Sequence, residues 1–262
     1  MPDLDLALRL ADVADAVTLP RFRAADLRVD RKPDRTPVTD ADTAAEAALR
    51  ELIAAERPGD DVLGEEGGGA VGAGRGWVLD PIDGTKNYSR GLPVWATLIA
   101  LTVDGEPQVG VVSAPALGRR WWAARGRGAW MADAAGEHRI AVSGVAELGD
   151  AYLSTTDARN FAGDGYARLA AAVWETRAFG DFWQYCLLAE GAIDVCADPA
   201  ANPWDLAAVV PVVEEAGGRL TDLRGTPGWR GGNGLATNGL LHAAAVRALT
   251  VENDVVAVPR TS

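Results

Sequence analysis

The chain has 262 residues, 48% of them apolar and 24% charged, which suits one large or two small folded domains and excludes global disorder or a collagen-like polymer. Acidic residues outnumber basic ones 37 to 25, a net charge of −12, so neither nucleic acid nor an anionic membrane is an expected partner, since both are bound through basic surface. Two cysteines and two histidines exclude a disulfide framework and a multi-histidine metal centre, and no apolar run approaches the ~18 residues of a membrane span.

The start Met1-Pro2-Asp3-Leu4-Asp5 lacks a basic leader, so a reducing, cytoplasmic setting is expected. Residues 4–22 place Leu6, Leu10, Val13, Ala14 and Val17 at the spacing of an amphipathic helix that packs on a sheet. The polar, proline-broken Arg31-Lys32-Pro33-Asp34-Arg35-Thr36-Pro37 reads as a loop. Its Lys32 either approaches the functional centre or, by default, is solvated. Thr39 is placed to cap a helix running through about Glu56. Gly67 to Gly76 is glycine-rich and expected to be mobile, separating Gly64-Glu65-Glu66 from the short strand Trp77-Val78-Leu79. Two apolar runs between Val94 and Ala114 meet at Asp104-Gly105, a hairpin dipeptide, and short strands follow at 121–124, 128–131 and 139–142. Trp95, Trp121 and Trp122 are expected in the core or a subunit interface. Past a soft boundary near residue 145 the pattern alternates: strand 151–155, helix 166–173, helix from Asp181, strand 193–197, helix from Trp204 to Ala216. The chain thus divides into an α+β half, residues 1–145, and an α/β half, residues 146–262.

The sharpest local feature is Asp80-Pro81-Ile82-Asp83-Gly84-Thr85, which leaves an apolar strand and enters a turn. Its two carboxylates converge, Pro81 stiffens the chain, and Gly84 lets backbone approach a ligand, with the Gly84 and Thr85 amides available to an anion. Oxygen ligands of this kind favour magnesium over zinc. Taken alone, the string is equally an Asp-rich turn with a helix cap. Likewise Thr39-Asp40-Ala41-Asp42 matches a capping box, Glu65 and Glu66 match solvated loop acids, and Trp204-Asp205 matches a helix start.

These segments occur together and in order: Pro37-Val38-Thr39-Asp40-Ala41-Asp42, Gly64-Glu65-Glu66, Trp77 to Asn87, and Trp204-Asp205 with Glu215-Ala216-Gly217-Gly218. In this the chain resembles the inositol monophosphatase superfamily of magnesium-dependent phosphatases, over nearly its whole length. The resemblance implies a layered αβαβα sandwich, a homodimer, a small phosphorylated metabolite as substrate and two or three magnesium ions per site. It further implies that Glu65, Asp80, the carbonyl of Ile82, Asp83 and Asp205 ligate metal. Asp80 would bridge two ions, Asp42 and Thr85 would help activate the attacking water, and the Gly84 and Thr85 amides would hold phosphate; Glu66 stays structural. The chemistry agrees. Phosphate monoester hydrolysis needs up to ~10²¹-fold acceleration. Five converging carboxylates without cations would repel by ~4 kcal/mol per pair at 4 Å and an effective dielectric of 20.

Other phosphatase mechanisms fail on residues. Asp40-Ala41-Asp42-Thr43-Ala44 lacks the strand and final Thr or Val of a haloacid-dehalogenase motif, and six residues after Cys186 and Cys196 stand Ala192 and Asn202 where a cysteine phosphatase needs Arg. Two histidines exclude a histidine-rich phosphatase. A non-enzymatic assembly partner on the same fold remains the reading from another class. For substrate, Gly180-Asp181-Phe182-Trp183-Gln184-Tyr185 resembles the histidinol-phosphate phosphatase branch, as do Arg119 to Gly128 and Trp204-Asp205-Leu206, in the manner of its actinobacterial members. An acidic Asp181 suits the ammonium and imidazole of histidinol phosphate, although an acid in the first turn of a helix also suits the helix dipole. Asp198 stands where inositol-specific relatives carry Glu against ring hydroxyls, so it is expected to bind substrate. Inositol-1-phosphate is the alternative substrate.

Overall fold

A computed structural model describes residues 2–33 and 35–250, so Asp34 of the expected 31–37 loop and residues 251–262 of the expected second half lie outside it. The first helix, α1 (Pro2–Arg21), is followed by a two-stranded ladder, β1 (Val29–Arg31) with β2 (Pro37–Thr39), where the sequence suggested only a loop. Thr39 then caps α2 (Asp40–Glu56). The strands β3 (Asp61–Gly64), β4 (Gly68–Gly69), β5 (Arg75–Asp83), β6 (Ala96–Val103), β7 (Glu106–Ala114), β8 (Arg119–Ala124), β9 (Ala129–Asp133) and β10 (Gly136–Ile140) form one eight-stranded sheet in the order β10-β9-β8-β7-β6-β5-β3-β4. Within the glycine-rich segment, Gly68 and Gly69 form β4 by pairing with Gly64 and Leu63. A turn of one short helix, α3 (Thr85–Ser89), interrupts the sheet after β5. The Asp104-Gly105 turn has positive φ at both residues, 52° and 83°, which matches the right-handed twist of β6 and β7.

The sheet of the second half contains β11 (Tyr152–Ser154), β12 (Glu175–Arg177), β13 (Val195–Asp198), β14 (Arg219–Thr221) and β15 (Gly234–Thr237), ordered β12-β11-β13-β15-β14. Its helices are α4 (Gly165–Ala172), α5 (Asp181–Ala189), α6 (Pro203–Ala207), α7 (Val209–Glu215) and α8 (His242–Thr250). The single helix expected from Trp204 to Ala216 is two, α6 and α7, parted at Ala208. Pro211 explains the break, since it has no N–H to bond the carbonyl one turn earlier and its ring crowds that carbonyl.

Side-chain alternation sets the layers. Trp77, Leu79, Ile99, Leu101 and Trp122 face α1 and α2, whereas Val78, Leu98, Ala100 and Trp121 face α5, α6 and α7. Both faces of this largely antiparallel sheet are therefore covered, which is why its central strands read as unbroken apolar runs. The adjacent Trp121 and Trp122 lie in opposite cores, and Trp95 packs with Phe22 and Tyr88. The middle helices also contact Cys196, Leu220 and Ala236 of the second sheet, whose far face packs Leu153, Val195 and Leu235 against α4 and α8. The result is the layered αβαβα sandwich. The change of sheet falls between Ile140 and Tyr152, but the middle helical layer serves both sheets.

A stability consequence follows from His242, which is 3% exposed between Thr221 and Thr237. Thr221 Oγ1 donates to the Asp222 carbonyl and so accepts from Nε2 at 3.0 Å, while Nδ1 lies 3.1 Å from Thr237 Oγ1. Burial lowers its pKa to about 4. As pH falls below the ordinary value of ~6.5 the unfolded chain takes up this proton first, so stability is full above that pH and is lost between 6.5 and 4. The loss should be on the order of 2–3 kcal/mol. Urea unfolding of wild type and His242→Gln at pH 7.5 and pH 5 checks it: the variant should show a shallower pH dependence.

Candidate functional site

The centre of the site is made by a mismatch in strand pairing. Asp80 pairs with Leu98 and Asp83 with Ala96, so three steps along β5 match two along β6 and the strand bulges at Pro81. In a regular strand residues three apart point to opposite faces. The bulge turns Asp83 to the same side as Asp80. Thr97 Oγ1 secures it by donating to the Pro81 carbonyl at 2.8 Å. On the other flank β3 runs parallel to β5 with Gly64 opposite Leu79, and Glu65 N donates to the Leu79 carbonyl, which brings Glu65 beside Asp80. Asp205 arrives from the first turn of α6, where its Oδ2 accepts from Asn202 N at 2.7 Å. One carboxylate oxygen from each of Asp80, Asp83 and Asp205 lies within 4.8 Å of the other two.

This grouping is electrostatically unfavourable by itself. Burial, then repulsion from Glu65, Asp83 and Asp205, pushes the Asp80 carboxyl well above the usual range. Asp83 is raised likewise by burial and by Asp181 and Asp205, and Asp205 is pushed up to about 7, chiefly by burial. An all-oxygen donor set with uncompensated charge fits a hard divalent cation, which would relieve both effects.

Asp42 caps α2 and also reaches Thr85. Its Oδ2 accepts from Thr39 N at 2.8 Å and from Thr39 Oγ1 at 2.5 Å, closing the capping box. Its Oδ1 lies 3.3 Å from Thr85 Oγ1, which itself donates to the Ile82 carbonyl at 2.9 Å. Burial raises Asp42 to about 6 despite those bonds. Gly84 has φ 85°, and a Cβ there would meet the Val94 carbonyl oxygen at 2.9 Å, so only glycine fits between β5 and α3.

Lys32 corrects the default expectation of solvation. Its Nζ pairs with Glu65 at 2.6 Å and Glu66 at 2.7 Å, and these carboxylates raise its pKa although burial opposes them. The loop between β1 and β2 thus supplies a positive charge to the acidic centre.

Asp181 is half-buried at the first residue of α5 with φ 48°, a left-handed backbone that strains a non-glycine residue by ~1–3 kcal/mol. The N-cap residue, Gly180, has no side chain to cap this helix, and the Asp181 carboxylate does not cap it either. Instead Asp181 Oδ2 accepts from Asn87 at 3.3 Å and lies near Gly84, and burial with the Asp198 charge raises its carboxyl to about 6. Phe182 N, next along, donates to Asp83 Oδ2 at 2.6 Å and pins α5 to the acidic centre. Asp198 is 4% exposed and sits behind this turn. It accepts from Thr156 N and Tyr185 Oη, both at 2.9 Å, and from Gln184 Nε2. The structure therefore brings Glu65, Asp80, Asp83 and Asp205 together, with Asp42, Thr85, Gly84 and Asp181 around them, and leaves Asp198 with its oxygens occupied by the protein.

Glu46 is a contributor that sequence reading missed. It is 2% exposed on α2; its Oε2 accepts from Glu66 N at 2.7 Å, and its Oε1 from Gly67 N at 2.8 Å and Arg50 Nε at 2.7 Å. A Cβ on Gly64 would lie 2.3 Å from this carboxylate. The glycines flanking Glu65-Glu66 were the available signal: a turn without side chains leaves room for something, and here it is a carboxylate that holds the backbone of Glu66 and Gly67, just past Glu65. Glu46→Gln offers one acceptor oxygen where two are needed. It should cost about 1–3 kcal/mol of stability and raise the divalent metal concentration needed for half-maximal stabilisation. Thermal unfolding across a magnesium titration measures both.

Three comparisons bear on this geometry. Residues 2–254 match the model of the Inositol monophosphatase family. The chain is 59% identical to the histidinol-phosphatase of Mycobacterium tuberculosis and 51% identical to that of Streptomyces coelicolor, covering 92% of this chain in each case and 95% and 94% of those proteins. It superposes on the structure of an inositol monophosphatase from Zymomonas mobilis with a TM-score of 0.84 at 35% identity, covering 95% of this chain and 98% of the other.

Proposed function

The chain belongs to the inositol monophosphatase family, and from that premise we propose that it hydrolyses L-histidinol phosphate to L-histidinol and inorganic phosphate, using magnesium, as a step of histidine biosynthesis. The observation that carries the substrate choice is the placement of the Asp181 carboxylate beside the Gly84 turn; in our reading it faces the organic part of a monoester seated on the acidic centre. A carboxylate there suits the ammonium and imidazolium of histidinol phosphate and offers nothing of the kind to a neutral polyol. Likeness to two histidinol-phosphatases supports the same choice. Among the described residues no helix is long and apolar enough to cross a membrane. We place the enzyme in the cytoplasm, as a homodimer without nucleic-acid or membrane partners.

In this reading Glu65, Asp80, Asp83, Asp205 and the Ile82 carbonyl hold the metal. Bound magnesium supplies charge neutralisation for the phosphoryl oxygens, an activated water and stabilisation of the leaving alkoxide. Thr85 and Asp42 orient the attacking water and accept its proton, a role that suits a carboxylate raised towards neutrality by burial. The Gly84 and Thr85 amides hold the phosphate. Water oxygen bonds to phosphorus as the bond from phosphorus to the histidinol oxygen breaks; that oxygen takes a proton from solvent, and the proton held by Asp42 returns to solvent.

The test is phosphate release from histidinol phosphate, inositol-1-phosphate and glycerol-2-phosphate by chelator-treated enzyme to which magnesium is restored. Magnesium-dependent release with the highest kcat/KM on histidinol phosphate supports the proposal. Preference for inositol-1-phosphate overturns the substrate, and no release from any of them favours a non-enzymatic assembly role.

A further inference from the structure

The start of α5 holds its first residue in a conformation that its own side chain does not stabilise. Asp181 is left-handed at φ 48° and follows Gly180, also left-handed at 68°, and neither residue provides a side-chain cap for the helix. What holds Asp181 is external. Its N–H, one of the donors every helix leaves open at its first turn, is accepted by Thr156 Oγ1 at 2.9 Å. Thr156 lies just past β11 in the second sheet, and its own orientation is set from below. Its N–H donates to Asp198 Oδ1 at 2.9 Å, and Gln184 Nε2, bonded to Asp198, also reaches Thr156 Oγ1 at 3.4 Å. Tyr185 Oη fills the remaining side of Asp198 at 2.9 Å. Gly180 makes the close approach possible, because a Cβ there would lie 3.2 Å from Thr156 Cα.

We infer that Thr156, oriented by the buried Asp198 and Gln184, is a positioning residue for substrate selectivity: it fixes the left-handed Asp181 so that the carboxylate stays beside the Gly84 turn. This rests on the substrate reading above. It assigns Asp198 an indirect part, acting through Thr156, in place of direct contact with substrate. Because the second sheet carries both Thr156 and Asp198, whereas Gly84 and Asp83 belong to the first, selectivity then depends on how the two sheets meet at α5.

Thr156 is exposed, so a direct contact between its hydroxyl and the substrate is the competing role. A double-mutant cycle separates them. We would measure kcat/KM on histidinol phosphate and on glycerol-2-phosphate, at saturating magnesium, for wild type, Thr156→Val, Thr156→Ser, Asp181→Asn and the Thr156→Val/Asp181→Asn double variant, with melting temperatures for each. The ratio of the two values should fall about three- to tenfold in Thr156→Val, the range for loss of one neutral hydrogen bond. Thr156→Ser keeps the hydroxyl and should keep the ratio. In the Asp181→Asn background Thr156→Val should lower the ratio no further. An unchanged ratio in Thr156→Val, an equal loss on both substrates, or a full additional loss in the double variant each overturns the positioning role. If Asp181→Asn itself leaves the ratio unchanged, the substrate reading has failed and the inference falls with it. A selective Asp181→Asn beside an unselective Thr156→Val overturns the inference alone.

Discussion

Asp83→Asn should make the metal-free protein more heat-stable while making the enzyme nearly inactive. The two effects have one origin. Burial and the neighbouring Asp181, Asp205 and Glu65 charges hold the Asp83 carboxyl well above its ordinary range, so its ionised form destabilises the empty fold at neutral pH. Asparagine removes that repulsion and keeps an oxygen to accept from Phe182 N. The same change removes a metal ligand's charge, so kcat should fall on the order of 100-fold or more. Magnesium should raise the melting temperature of wild type by mass action and raise that of Asp83→Asn much less. Asp205→Asn should show the same loss of kcat and of magnesium response, with a smaller gain in the metal-free state. Asp205 accepts from Asn202 N at the start of α6, and its bond there already stabilises the carboxylate. Turnover near wild type at limiting magnesium in either variant would remove that residue from the metal site.

How far this site can be read from sequence depends on how locally its geometry is made. Asp80-Pro81-Ile82-Asp83-Gly84-Thr85 announces itself because the candidate ligands and the amides proposed to hold phosphate sit within six residues. Asp42 is readable as both cap and base, since the capping box fixes one oxygen and leaves the other. The bulge that aims Asp83 is invisible, because it exists only against β6. The parallel pairing that sets Glu65 beside Asp80 is equally hidden, because β3 meets β5 only across the glycine-rich segment between them. Glu46 looks like any acid on a helix face; its burial depends on Gly64 and Gly67 arriving from elsewhere. Lys32 looked solvated because its partners lie 33 and 34 residues on. The same limit governs the fold. Hairpins with local turns were legible, whereas β1, β3, β12, β14 and β15, with three or four residues each, carry too little pattern to be distinguished from loop.

Asp181→Asn should lower kcat/KM on histidinol phosphate by about 10- to 150-fold, the value of a charge-assisted hydrogen bond of ~1.5–3 kcal/mol, and should change hydrolysis of neutral monoesters little. An acid capping α5 would behave otherwise: its loss would cost ~0.5–2 kcal/mol of stability and depress every substrate alike. The geometry favours the first outcome, since the carboxylate turns away from the helix towards Asn87 and Gly84. The pH profile gives an independent check. Burial and Asp198 raise the Asp181 carboxyl to about 6, so it is charged above that pH and progressively neutral below it. The wild-type preference for histidinol phosphate over glycerol-2-phosphate should therefore decline as pH falls through about 6 and approach the Asp181→Asn ratio, which should carry only the titration of the substrate's own imidazole, near ~6.5. Taking the ratio cancels the ionisation common to both phosphates. An equal fractional loss on all substrates, or a wild-type ratio that does not move with pH, removes Asp181 from the substrate.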